Sequence, residues 1–272
     1  MKNKKINLFE VISYIITIMV VIFMSLIVLT ILVEGIPYLS NSFASREVQF
    51  SIKLSLFTTS ISTFICMILA IPTSYILTRE SNTLNKYMQI IIELPLCLPY
   101  LVLGLSLLIL FSSNFGKSLK EMGLKVVYSQ LGIIIAQISV NIPYAIRFIR
   151  TAFLEVDSRL EFIASTLGAS KWIRFLTITI PLSKNAIIGA MILTWSRGLG
   201  EFGATLMLVG VTRMKTETLP ASIYLNVATG DIGVSMASAL ILLLISSISL
   251  FIANYFTNKN SNRNRMKDVY TK

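Results

Sequence analysis

The chain contains no histidine, which excludes histidine-dependent acid–base catalysis and zinc sites built on imidazole. Cysteine is nearly absent as well. Cys66 and Cys97 both fall inside long apolar runs and lack metal-ligand spacing, and a disulfide within hydrocarbon is improbable, so they read as packing thiols. Charge is also scarce. Only 14% of the residues are charged, against about a quarter in an average soluble domain. What takes their place is apolar: hydrophobic residues make up 54% of the chain and the mean hydropathy is +0.76.

The few charges are spaced so as to leave long gaps. Uncharged stretches run from Val11 to Val33 (23 residues), between Lys53 and Arg79 (25), between Glu93 and Lys117 (23), between Lys125 and Arg147 (21), and between Asp231 and Lys259 (27). A hydrocarbon core of about 30 Å needs roughly 20 apolar residues in a helix, so five segments meet the length condition. A sixth, Asn185 to Thr212, is interrupted by Arg197 and Glu201 but has strongly apolar flanks. It reads as a span carrying an intramembrane charge pair, of the kind that faces a bundle interior or a wet cavity. Two short re-entrant pieces are the other reading. The first apolar run follows Lys2, Lys4 and Lys5 as a signal peptide would, yet it is longer than a usual signal core and no A-x-A-like site follows it, so it reads as a retained span. The expectation is an all-α integral membrane protein of six transmembrane helices: an N-terminal tail over 1–10, a spanning domain over 11–258, and a basic tail over 259–272.

Six spans put both termini on one side. With the N-terminus cytoplasmic, sixteen Lys and Arg residues fall in inner segments and seven in outer ones, the bias that sets topology in cell membranes. The net charge of +11 is then mostly a topological signal, and the basic tail suits anionic inner-leaflet lipid rather than nucleic acid.

The longest inner connection, about 150–181, has a pattern of its own. Leu154, Leu160, Ile163, Ala164 and Leu167 lie at amphipathic helical spacing. A second short helix is expected over Lys171–Ile178, ending before Pro181. Spacing alone fits an interfacial element that merely anchors to lipid equally well. Glu161, Ala164 and Gly168 stand at i, i+3 and i+7, on one helix face, and Gly168 suits a left-handed cap.

These residues carry a resemblance. Leu160-Glu161-Phe162-Ile163-Ala164-Ser165-Thr166-Leu167-Gly168-Ala169, with Ile178-Thr179-Ile180-Pro181 after it, resembles the EAA loop of ABC importer permeases: Glu-x-Ala-Ala, a Gly, then roughly nine residues before Ile-x-Leu-Pro. It departs at Ile163, where the first alanine usually stands, and at Ile180 in place of leucine. The place of the loop, between the fourth and fifth of six spans, matches too. The resemblance implies that Glu161, Ala164, Leu167 and Gly168 form a coupling helix seated in a cleft of a separate ATPase subunit, and that the loop turns nucleotide-driven closure into movement of the spans.

A second stretch narrows the group. Arg197-Gly198-Leu199-Gly200-Glu201-Phe202-Gly203-Ala204-Thr205 is similar to the fifth-span signature of molybdate, tungstate and sulfate permeases, with the molybdate/tungstate branch nearest. Glu93–Gly104, with its paired prolines, and Thr218–Tyr224 resemble the same group. The resemblance implies a non-catalytic permease working as a homodimer, with two ATPase copies and an extracytoplasmic substrate-binding protein. ATP and Mg would be used by the ATPase, and no cofactor would be held by this chain. Arg197, Glu201 and Thr205 become candidates for the translocation path or its gate. Arg197 and Glu201, at i and i+4, are expected to pair, either as a neutralised packing pair or at the gate. Gly198-x-Gly200-x-x-Gly203 satisfies a dinucleotide fingerprint, but no strand precedes it, as that motif requires. The glycines suit close helix contact or a break in the span instead.

Overall fold

The computed structural model describes residues 8–80 and 82–270, with side chains described as far as residue 256. Lys2, Lys4 and Lys5, and the side chains of the basic tail, lie outside the described residues. Among those that are described the fold is helical throughout: α1 (Leu8–Ala44), α2 (Arg46–Arg79), α3 (Thr83–Glu93), α4 (Tyr100–Ser112), α5 (Asn114–Glu121), α6 (Gln130–Leu154), α7 (Ser158–Thr166), α8 (Lys171–Arg174), α9 (Ile180–Leu199), α10 (Gly203–Val209), α11 (Leu219–Ala228) and α12 (Ile232–Tyr270). Five helical stretches are long and apolar enough to cross a membrane, or six if one bent pair counts as a span.

That bent pair only overlaps the expected third span: α3 precedes the uncharged run, which holds the turn at Leu94–Cys97 and α4. Between α3 and α4 lie a short 3-10 turn, Leu94–Cys97, and Pro99, and the axis bends by 110°. Pro95 and Pro99 cannot donate backbone N–H groups and cannot continue a helical ladder, so the run of 23 uncharged residues was long enough to span but not able to stay straight. A second correction concerns the charged span. The helix does not run from Asn185 to Thr212; it runs from Lys171 to Leu199, breaks at Gly200-Glu201-Phe202, and restarts as α10. Nor does it stop before Pro181. Phe175–Thr179 form a π turn, with the Ile180 N–H bonded to the Phe175 carbonyl, and α9 follows directly. Widening the ladder just before a proline accommodates a ring that lacks a donor and crowds the preceding turn.

Two larger apolar cores, a smaller one of Val48, Leu219 and Ile241, and a polar layer hold the bundle. One core gathers Cys66, Met67, Ala70, Ile146, Ile149, Phe153 and Phe175 at the end of the bundle nearer α7. The other gathers Leu54, Leu103, Ile133, Val140, Ala204 and Leu208. Between them α2 and α6 present hydroxyls and amides to each other. The Gln137 side chain accepts from the Ser62 hydroxyl (3.0 Å) and donates to the Thr59 hydroxyl (3.1 Å) and the Gly198 carbonyl (3.2 Å). The buried face of α2 is rich in Ser and Thr (Ser51, Ser55, Thr58, Thr59, Ser62, Thr63), the small polar residues that let membrane helices approach closely. By contrast α1 packs mainly along α12, with Gly35 against the Met236 backbone, and leaves most of its apolar side chains exposed.

Candidate functional site

The first site residues lie on α7. Asp157 caps this helix by accepting from the Arg159 N–H at 2.9 Å. One turn in, Glu161 points back into the protein, 5% exposed. One carboxylate oxygen accepts from Arg79 Nε at 2.8 Å and from the Thr179 hydroxyl at 2.6 Å; the other accepts from the Tyr75 hydroxyl at 2.9 Å. Arg79 also donates to the Val156 carbonyl at 3.1 Å. One side chain thus ties α7 to the end of α2 and to the π turn that opens α9. Burial alone would raise the Glu161 carboxyl, but the hydrogen bonds from Thr179 and Tyr75 and the Arg79 charge outweigh it, and its pKa lies below the ordinary carboxylate value.

The helix ends in a glycine cap. Gly168 has φ +86°, its N–H bonds the Ser165 carbonyl, and the Ala169 N–H reaches back to the Ala164 carbonyl, the paired bonds of a Schellman motif. The positive φ turns the chain off the helix axis, so Gly168 does not continue the face on which Glu161 and Ala164 stand; Glu161 is buried, Ala164 half-buried and Gly168 exposed. The outward face belongs to Phe162, Ile163 and Leu167, the last 83% exposed. A Cβ at Gly168 would meet nothing within 4 Å.

The second set lies roughly 30 Å away along α2, by the rise between Arg79 and Thr59. Arg197 and Glu201 do not pair; among the described residues no ion pair joins them. The helix break at Gly200 ends the i, i+4 relation that pairing needs. Arg197 instead lies over the Tyr144 ring, 3.5 Å from its centroid, and donates to the Tyr100 hydroxyl, which bonds the Tyr144 hydroxyl at 3.2 Å. A guanidinium held between two aromatic rings gains cation–π attraction where no carboxylate is supplied. Glu201, 6% exposed, turns the other way and caps α10. It accepts from the Ala204 N–H (2.8 Å), the Thr205 N–H (3.2 Å) and the Thr205 hydroxyl. A carboxylate at a helix start satisfies donors that have no intrahelical partner.

The glycines around the break are contact points. A Cβ at Gly198 would come within 2.7 Å of the Asn141 amide nitrogen, and one at Gly104 within 2.6 Å of the Ala204 backbone, so α9, α6, α4 and α10 meet here without side chains between them. Asn141 is fully buried and neither of its amide atoms has a partner. Sequence reasoning did not single out Tyr100, Tyr144, Asn141, Gln137, Tyr75, Arg79 or Thr179. The available signal was Gln137 and Asn141, two amides one turn apart in an otherwise apolar run. Lys120 and Lys125 line a cavity of about 270 Å³ with Phe111 and Tyr128.

Helices long and apolar enough to span a membrane, one bent pair among them, and a capped helical loop clasped to the end of α2 and the start of α9 frame the two sets of residues. Residues 67–262 match the family described as binding-protein-dependent transport system inner membrane component, and the chain belongs to that family: it is a multi-pass membrane permease subunit of an ABC importer. It is 35% identical over 205 residues to the "probable transport system permease protein NifC" of Clostridium pasteurianum (74% of this chain, 71% of that protein). It is 32% identical over 212 residues to the molybdate/tungstate transport system permease protein WtpB of Methanocaldococcus jannaschii (78% and 82%). To the sulfate transport system permease protein CysT of Escherichia coli it is 29% identical over 219 residues (80% and 79%). Its fold is like that of a chain in the crystal structure of a bacterial alginate ABC transporter in complex with an alginate-bound periplasmic protein, with a TM-score of 0.75, 16% identity and coverage of 93% and 94%. A chain of the inward-facing MetNI methionine ABC transporter gives a TM-score of 0.62 at 16% identity, covering 79% and 96%.

Proposed function

We propose that this permease forms half of a homodimeric path for a tetrahedral oxyanion, molybdate or tungstate, and works by alternating access driven by two copies of a separate ATPase. An extracytoplasmic binding protein delivers the ion, and both termini and the α7 loop face the cytoplasm. ATP and Mg belong to the ATPase; this chain is the path and the gate.

The observation that carries the mechanism is the clasp on Glu161. Because Tyr75, Arg79 and Thr179 all donate to one carboxylate, α7 cannot shift without taking the end of α2 and the start of α9 with it. Its exposed apolar face, Phe162, Ile163 and Leu167, is the surface for the ATPase, and Gly168 leaves the approach open. Displacement of α9 then reaches the break at Gly200–Phe202, where Arg197 supplies positive charge beside two hydroxyls and Glu201 is engaged by its own helix. An anion passing Arg197 meets a cation already partnered by ring faces, an arrangement that attracts without holding fast.

The relatives' names support molybdate or tungstate, and the CysT relative supports sulfate as the second reading. The deciding experiment is ATP-driven uptake of labelled molybdate into vesicles holding the assembled complex, with tungstate and sulfate as competitors. Strong competition by tungstate and weak competition by sulfate is expected; the reverse order selects the second reading.

A further inference from the structure

We infer that the α7 loop carries an anion-binding site of its own, in the pocket between the end of α2 and helices α7 and α8, and that its occupant is the phosphate of an anionic lipid of the inner leaflet. The inference rests on the orientation proposed above.

The pocket is an open groove of about 490 Å³ lined by four cations, Arg79, Arg159, Lys171 and Arg174, and two carboxylates, Glu80 and Glu161, and it borders the proposed ATPase surface through Phe162. Both carboxylates are already engaged, Glu161 by Arg79 and two hydroxyls, and Glu80 by Lys171 at 2.6 Å. Two guanidinium groups are left over. Arg159 has no acidic partner among the described residues, and only its backbone N–H is used, in the cap on Asp157. Arg174 makes one long bond, Nη1 to the Glu161 carbonyl at 3.4 Å, and its Nε is buried without any partner. A buried charged donor left unmade is unfavourable, and planar guanidinium forks match phosphate oxygens in pairs.

The height of the pocket favours lipid as the source. Between Lys53 and Arg79, α2 rises about 39 Å at 1.5 Å per residue, more than the roughly 30 Å hydrocarbon core and close to the roughly 40–45 Å of a bilayer with its headgroup regions. Arg79 therefore reaches the inner headgroup level. Trp172, 67% exposed, and Leu176 lie on the same short segment as Lys171 and Arg174 and are open to the surroundings, as aromatic and apolar side chains are at a membrane interface, and anionic lipid is concentrated on the cytoplasmic leaflet. A phosphate bridging Arg159 on α7 and Arg174 on α8 would fasten the loop to the start of the spanning helix from the side opposite the Glu161 clasp, so the lipid would stiffen the coupling element.

The test uses the full permease–ATPase complex in nanodiscs of mixed phosphatidylglycerol and phosphatidylcholine, released and weighed by native mass spectrometry. Wild type is expected to retain phosphatidylglycerol, and Arg159→Gln with Arg174→Gln to lower retention roughly tenfold or more, from about 1 kcal/mol per basic residue at an anionic surface. Lys184→Gln, an inner-face cation outside the pocket, should leave it unchanged. Should the double variant fail to fold, exposed Arg159→Gln alone is expected to give part of the loss. Equal retention in all variants overturns the inference. Stabilisation of wild type, but not of the double variant, by inorganic phosphate in pure phosphatidylcholine assigns the site to free anions and overturns the lipid. Loss of the ATPase subunit with lipid retention unchanged overturns it in favour of an acidic side chain of that partner. Labelling of Ala169→Cys from the inner face of sealed vesicles checks the orientation separately, and ATP-driven uptake checks the importer reading.

Discussion

Glu161 and Glu201 are both buried carboxylates next to an arginine in sequence or in space, yet they are handled in opposite ways. Glu161 reaches across three elements: its partners, Tyr75, Arg79 and Thr179, come from α2 and from the turn opening α9. Glu201 reaches only forward, to residues three and four ahead on α10, and leaves Arg197 to Tyr100 and Tyr144. A clasp between elements makes them move together. A cap within one element closes that element and leaves the break beside it free to bend. The same residue type thus joins separate elements in one region and closes a single helix in the other.

That contrast sets the expected order of effects. Glu161→Ala should be the most damaging change, because it leaves Arg79 with 15% side-chain exposure and no carboxylate; removing one partner of a buried pair costs about 3 kcal/mol or more, read as loss of uptake and a lower melting temperature of the purified complex. Gly104→Val should follow. Its Cβ would press on the Ala204 backbone at 2.6 Å, and overpacking of this kind costs about 1–3 kcal/mol, seen as slower uptake with the ATPase still bound. Arg197→Lys keeps the charge but loses the flat guanidinium stacked on Tyr144; it should slow uptake several-fold with little change in melting, consistent with about 1 kcal/mol for a partly exposed cation–π contact. Thr205→Val removes one donor to Glu201 and should cost about 1 kcal/mol. If Thr205→Val proved as damaging as Glu161→Ala, the break would be as tightly built as the loop and the contrast would fail.

Proton concentration should separate the regions too. The Glu161 pKa is lowered in the folded protein, so its stabilising contribution is fully present above the ordinary carboxylate value and is lost as pH falls through the lowered one. Melting of the wild-type complex followed from pH 7 downward is expected to show a contribution, surviving below the ordinary value, that Glu161→Gln abolishes.

Much of the fold was legible because hydrocarbon imposes length. Gaps between charges located the spanning runs, and Gly168 marked the end of the loop helix, but its start was placed too early: Leu154 is the last residue of α6, and α7 begins at Ser158. Length could not foresee direction. Pro95 and Pro99 bend the third run by 110°, and the helix holding Arg197 starts fourteen residues before Asn185, at Lys171, because a π turn carries it through Pro181. The i, i+4 spacing of Arg197 and Glu201 promised a pair only if the helix continued, and it ends at Leu199. The clasp was the least legible feature. Tyr75, Arg79 and Thr179 stand 86, 82 and 18 positions from Glu161, and nothing local in the chain announces contacts of that range.

The central claim is that motion enters through α7 and that this chain transports only when driven by its ATPase. It is tested most directly by measuring ATP hydrolysis and molybdate uptake together in vesicles holding the complex with wild-type or Gly168→Trp permease. The account predicts uptake that requires ATP in the wild type. In the variant it predicts hydrolysis with uptake reduced at least tenfold, and normal insertion. Uptake that persists without ATP, or a variant that transports normally, would contradict it.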